Sequence, residues 1–151
     1  MKYYFRNIKE NDNKILIYTR ITYPYKIKKK QFFAVNQVAF SIEITQNLGL
    51  KIYVYESDSK NNGPKLFEFS IDDSPITIGR NKCKVNLDFS ILSKKHCVLK
   101  FDKEEKVWII TDGIEGRPST NGTWLLVTSK FELNDTTFIK IGENIIKVST
   151  V

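Results

Sequence analysis

An all-β sandwich is the fold class this sequence predicts, and three observations carry the prediction. Apolar and polar residues alternate at strand period over much of the chain, helical periodicity is scarce, and turn-forming clusters separate the alternating runs. Ile15, Ile17 and Ile21 alternate with Leu16, Tyr18 and Arg20, and Val38, Phe40, Ile42 and Ile44 alternate with Ala39, Ser41 and Glu43. These are two strands before residue 48. Further strands are expected over Leu50–Tyr55, Leu66–Ile71, Ile76–Gly79, Val85–Leu87, His96–Phe101 and Val107–Thr111, and then over Thr123–Val127, Thr137–Ile141 and Ile145–Val148. The clusters Ser57–Pro64 and Asp72-Asp73-Ser74-Pro75 read as turns. Ile, Val, Phe and Tyr dominate the strands because they suit a pleated, half-buried surface. Trp108 and Trp124 are expected in the core or between sheets, and Cys83 and Cys97 as small apolar fillers.

The chain has 151 residues and is 41% hydrophobic, enough to bury a core in one domain of common size or a small domain with an extension. Its formal net charge of +7 favours anionic partners without naming one. That charge is uneven. Residues 1–48 hold nine basic and three acidic residues, whereas the rest is nearly balanced. The split suggests a basic N-terminal extension, residues 1–48, expected to be β-rich and packed on the domain or a partner, and a body over residues 49–151. The densest basic stretch, Tyr23-Pro24-Tyr25-Lys26-Ile27-Lys28-Lys29-Lys30, reads as a solvated loop between strands; an acidic protein surface, anionic lipid or a phosphate backbone are its other possible neighbours.

Several function classes fall away. No apolar run approaches the ~20 residues that cross a bilayer, and Met1–Arg6 leads into charged residues rather than a signal-peptide core. An intracellular protein is expected, with nucleus or cytoplasm left open. Two cysteines and one histidine make neither a zinc site nor a disulfide framework, so no metal and no cofactor are expected. Paired carboxylates, a nucleophile elbow and a phosphate-binding P-loop are missing as well, which argues against an enzyme.

Three short segments remain. Ile76-Thr77-Ile78-Gly79-Arg80 ends a strand in Gly-Arg, Leu92-Ser93-Lys94-Lys95-His96-Cys97 carries a loop into a strand, and Ser119-Thr120-Asn121-Gly122-Thr123-Trp124 is a turn that opens the next strand. A planar guanidinium at Arg80 and a hydroxyl at Ser93 are suited to a phosphate, which needs a cation and several fixed donors. Asn121 offers a donor and an acceptor in one amide, matching the polar groups of an extended chain.

In this order and spacing the trio resembles the forkhead-associated (FHA) domain, a phosphothreonine-binding β-sandwich of about eleven strands, over about residues 48–151. The resemblance implies that Arg80, Ser93, the main chain after Ser93, Lys94 and Thr120 hold the phosphate. It implies that Asn121 bonds the peptide backbone, while Gly79, His96 and Gly122 support the site. The loop Gly113–Pro118 is longer than is common in the family, so Glu115 and Arg117, together with Ile91, are expected to influence selectivity. The leading function is then an adaptor module in signalling that recruits a phosphothreonine-containing protein. A structural subunit that docks neighbouring subunits without phosphate is the alternative, and nucleic-acid binding through Lys26–Lys30 is the weakest of the three.

Overall fold

A computed structural model describes residues 4–5, 15–56 and 63–149. Most of the segment Met1–Lys14, with its basic residues, and the Ser57–Asn62 part of the first turn cluster lie outside the described residues. The strands in chain order are β1 (Tyr4–Phe5), β2 (Ile17–Arg20), β3 (Tyr25–Lys26), β4 (Lys30–Val35), β5 (Val38–Ile44), β6 (Leu50–Tyr55), β7 (Lys65–Phe69), β8 (Ile76–Gly79), β9 (Val85–Asn86), β10 (Cys97–Asp102), β11 (Val107–Asp112), β12 (Trp124–Leu126), β13 (Phe131–Glu132), β14 (Thr136–Ile141) and β15 (Asn144–Ser149). One 3-10 turn, Ile71–Asp73, is the only helical element among the described residues. The protein is nearly all β, consistent with an FHA-like sandwich.

The chain falls into two compact units, Met1–Arg20 with Trp124–Val151, and Ile21–Thr123. In the first, β14 pairs antiparallel with β15 and β2, β2 with β12, and β1 with β13. Thr19 is buried there and its hydroxyl donates to the Phe138 carbonyl at 3.2 Å, tying β2 to β14.

The second unit holds two sheets. One is the antiparallel meander β4-β5-β6-β7; the other has the order β3-β11-β10-β8-β9, in which only β8 and β9 run parallel. Period-two alternation sends one side-chain set of each strand inward. Phe33, Phe40, Ile42 and Ile52 come from the first sheet, and Ile76, Ile78, Leu99, Trp108 and Ile110 from the second; all are fully buried. Phe33 and Phe40 stack with centroids 5.5 Å apart, and the Trp108 indole N–H donates to the Leu48 carbonyl at 2.6 Å. Truncating one of these large side chains to alanine costs about 3–5 kcal/mol by cavity formation.

The structure corrects four local expectations. Lys30–Val35 is a strand that the alternation did not reveal, because adjacent Phe32 and Phe33 point to opposite faces, one half-exposed and one buried. The Tyr23–Lys30 stretch is not simply a loop: Tyr25–Lys26 pairs with Ile109–Ile110, Ile27 is buried and Lys30 opens β4. The strand expected to run to Ile71 stops at Phe69, where the Asp73 carboxylate accepts from both the backbone N–H and the hydroxyl of Ser70 and starts the 3-10 turn. Cys97 is buried as expected, but Cys83 is only half-buried and sits in a loop beside the Lys94 carbonyl.

Candidate functional site

The site is assembled in the second unit by two loops zipped together along their backbones. Arg80 N–H donates to the Ser93 carbonyl at 3.2 Å, and Asn81 N–H donates to the Lys94 carbonyl at 3.1 Å. This close approach explains Gly79. A Cβ there would lie 2.4 Å from the Lys94 carbonyl oxygen and 2.9 Å from its carbon, so any larger residue forces the loops apart. At the next position the Arg80 Nε–H donates to the Leu92 carbonyl at 2.8 Å. One edge of the guanidinium is thereby anchored, and its two Nη groups remain for a planar, bidentate contact with an anion.

Ser93 is constrained through all its polar groups. Its backbone N–H donates to Nδ1 of His96 at 3.1 Å, its carbonyl receives Arg80, and its Oγ accepts the Thr120 N–H at 3.1 Å. With Oγ already accepting from Thr120, the hydroxyl proton is the part left to donate outward. His96 is wholly buried and bridges two loops: because Nδ1 accepts from Ser93, the proton sits on Nε2, which donates to the Gly122 carbonyl at 3.1 Å. Its backbone N–H donates to Ile78 and its carbonyl accepts from Gly113, so one residue links β8, the Ser93 loop, the Gly113 loop and the Asn121-Gly122 turn.

The third segment is held by a group that sequence reasoning did not single out, Asp112. Its carboxylate accepts from the Ser119 N–H (3.1 Å), the Ser119 hydroxyl (2.6 Å) and the Thr123 hydroxyl (2.7 Å). The Ser119 Oγ in turn accepts the Gly122 N–H at 3.0 Å. An Asp seven residues before a serine-led turn, followed by Thr123, was the available signal. Asn121 donates from Nδ2 to the Ile91 carbonyl at 2.7 Å, which ties it to the loop before Ser93, and Gly122 adopts a positive φ of 75°. Burial first, then the neighbouring Asp112 charge, pushes the Cys97 thiol well above its ordinary range, so it stays protonated and inert.

Arg80, Ser93, Lys94 and Thr120 are thus brought together, with Gly79, His96 and Gly122 behind them. Arg80, Lys94 and neighbouring Lys82 and Lys95 are exposed and take part in no ion pair among the described residues. Such an arrangement can receive a compact dianion on a guanidinium, a hydroxyl and flanking ammonium groups.

Residues 76–142 match the family model of the FHA domain. FHA domains are in general phosphopeptide-binding interaction modules. The matched span contains Gly79, Arg80, Ser93, His96 and the Asn121-Gly122 turn, and it is narrower than the resemblance read over residues 48–151. No curated protein and no solved structure gives a significant match to the chain. Among the described residues no His/Cys/Asp/Glu group is placed to hold a metal ion, and no helix is long and apolar enough to cross a membrane.

The long loop between Asp112 and Ser119 has a definite structure. Ile114 and Arg117 exchange backbone hydrogen bonds of 3.0 and 2.9 Å around Glu115-Gly116, whose φ values of 50° and 76° describe a tight mirror-image turn. Gly113 closes its base, where an added Cβ would overlap the Arg117 carbonyl oxygen at 1.8 Å. Glu115 and Arg117 are exposed on this small hairpin, and no hydrogen bond among the described residues joins either to Arg80, Ser93 or Lys94.

Proposed function

We propose that the protein is a non-catalytic phosphothreonine reader that recruits a phosphorylated protein partner. The observation that carries this reading is that two loops zipped along their backbones bear an anchored Arg80 guanidinium and a Ser93 hydroxyl oriented by Thr120. In the proposed complex Arg80 clamps two phosphate oxygens, Ser93 and the backbone N–H groups that follow it donate to the phosphate, and Lys94 adds charge. Thr120 lines the phosphate pocket and Asn121 bonds the peptide main chain. Ile91, Glu115 and Arg117 border the peptide and tune its preference.

A phosphothreonine peptide library titrated against wild type and Arg80→Ala tests this. Binding that is at least tenfold weaker in the variant is expected; wild-type binding no better than the variant's overturns the proposal. The alternative, phosphate-independent docking in a larger assembly, predicts co-purification that survives both phosphatase and Arg80→Ala. Removal of residues 1–48 is a poor probe of it, since β4 and β5 carry Phe33 and Phe40 into the core.

A further inference from the structure

The outer face of the β4-β5-β6-β7 meander carries a pattern that phosphate reading does not use. Residues directly opposite in an antiparallel sheet share a face, and three cross-strand rows follow from the register. The first is Lys30, Glu43, Lys51 and Glu68, alternating in sign, with Lys30–Glu43 at 3.8 Å and Lys51–Glu68 at 3.3 Å. The second is Phe32, Ser41, Tyr53 and Leu66, in which Phe32 and Leu66 are 38% and 45% exposed at its ends while Ser41 between them is wholly buried. In the third, Ala34 and Ala39 stand beside Tyr55, which is 41% exposed. The other face of the same strands is the buried core, so this apolar content is not explained by packing within the unit.

The charged row, the Phe32 and Leu66 ends of the second row and the Ala39–Tyr55 pair of the third are self-complementary under one operation. A two-fold axis along the strands, between β5 and β6, lays β4 over β7 and β5 over β6 of a second copy while keeping each row at its own height. Lys30 then meets Glu68, and Glu43 meets Lys51. Phe32 meets Leu66. Half-buried Ala39 of β5 meets Tyr55 of β6, whereas Ser41, wholly buried within its own copy, takes no part. We propose that this face is the surface through which two copies of the chain associate, by stacking of the two sheets about that axis. Isologous pairing is the commonest geometry of homodimers, and sheets stacked face to face at ~10 Å are an ordinary packing mode.

Four strands and three rows cover on the order of 300–400 Å² per copy, below the ~800 Å² per partner of a standard interface, so the association is weak and concentration-dependent. Sedimentation of the full chain from about 10 μM to about 1 mM should reveal a monomer–dimer equilibrium in the upper part of that range. Phe32→Lys and Leu66→Glu, each at a partly exposed position, should each weaken dimerisation at least tenfold with an unchanged circular dichroism spectrum. Mixing the two variants should restore it in part, because the axis sets residue 32 of one copy against residue 66 of the other. Arg80→Ala should leave the equilibrium unchanged, which separates this surface from the phosphate site. A wild type that stays monomeric at about 1 mM, a dimer indifferent to both substitutions, or a mixture no tighter than either variant alone overturns the proposal, as does capture of a different protein on this face in preference to a second copy.

Discussion

Two basic regions of the second unit make opposite use of their charge. The Tyr23–Lys30 stretch has the highest density of lysine, yet Lys26 pairs with Glu105, Lys30 pairs with Glu43 and lies over the Phe32 ring, and the backbone of Lys28 is held by the Gln31 side chain. The loops from Arg80 to Lys95 carry fewer cations per residue, and Arg80, Lys82, Lys94 and Lys95 have no acidic partner among the described residues. Density of charge alone therefore does not mark the anion-ready region: two of the four lysines in the dense stretch are spent in ion pairs, whereas Arg80, Lys82, Lys94 and Lys95 are spent in none among the described residues.

The largest effect should fall on that second region. Arg80→Ala removes a charge-assisted clamp of about 1.5–3 kcal/mol, so phosphopeptide affinity measured by calorimetry should drop roughly 10- to 150-fold. Arg80→Lys should recover only part of it, because an ammonium cannot form the planar fork. Asp112→Ala orphans the Ser119 and Thr123 donors and should lower chemical stability by about 2–3 kcal/mol while also weakening binding; a variant as stable as wild type would show that the Asp112 contacts do not hold the turn. Gly79→Ala should part the zipped loops at Lys94. It is expected to reduce phosphopeptide affinity more than it reduces the melting temperature, since the strain is local to the site.

Neutralising Lys28 and Lys29 to glutamine should do least, changing phosphopeptide affinity by less than about threefold and stability by under ~0.5 kcal/mol, as exposed charges do. A loss as large as that of Arg80→Ala would erase the distinction between the two regions. Cys97 supplies a pH test inside the core. Its folded-state ionisation lies above the ordinary thiol value, so the folded form retains a proton that the unfolded chain releases above about pH 8.5. The contribution is intact below that pH and is lost as pH rises. Urea titrations should show stability falling above about pH 8.5 in wild type and less so in Cys97→Ala.

The strand alternation was enough to read most of the sheets, and the three motifs were enough to bring Arg80, Ser93 and Asn121 into one hypothesis. What escaped was of two kinds. Lys30–Val35 was hidden because two neighbouring phenylalanines serve opposite faces, and β3 because a two-residue strand has no period to detect. The charge step at residue 48 coincides with neither boundary of the compact units, which fall at 20/21 and 123/124, because charge follows the solvent face and compactness follows the core. Asp112 was passed over as one carboxylate among many, since its importance lies in three donors that approach it from residues 119 and 123.

The sequence by itself determined the class of fold and the chemistry available to the loops, because period-two burial and residue type are local properties that survive without coordinates. Only the tertiary structure decided which lysines are paired and which stand free, that Gly79 is demanded by the Lys94 carbonyl, and that parts of the outer rows of the meander match their own reverse. Those facts depend on register and on approach between segments distant in the chain, and a one-residue shift in pairing would undo each of them.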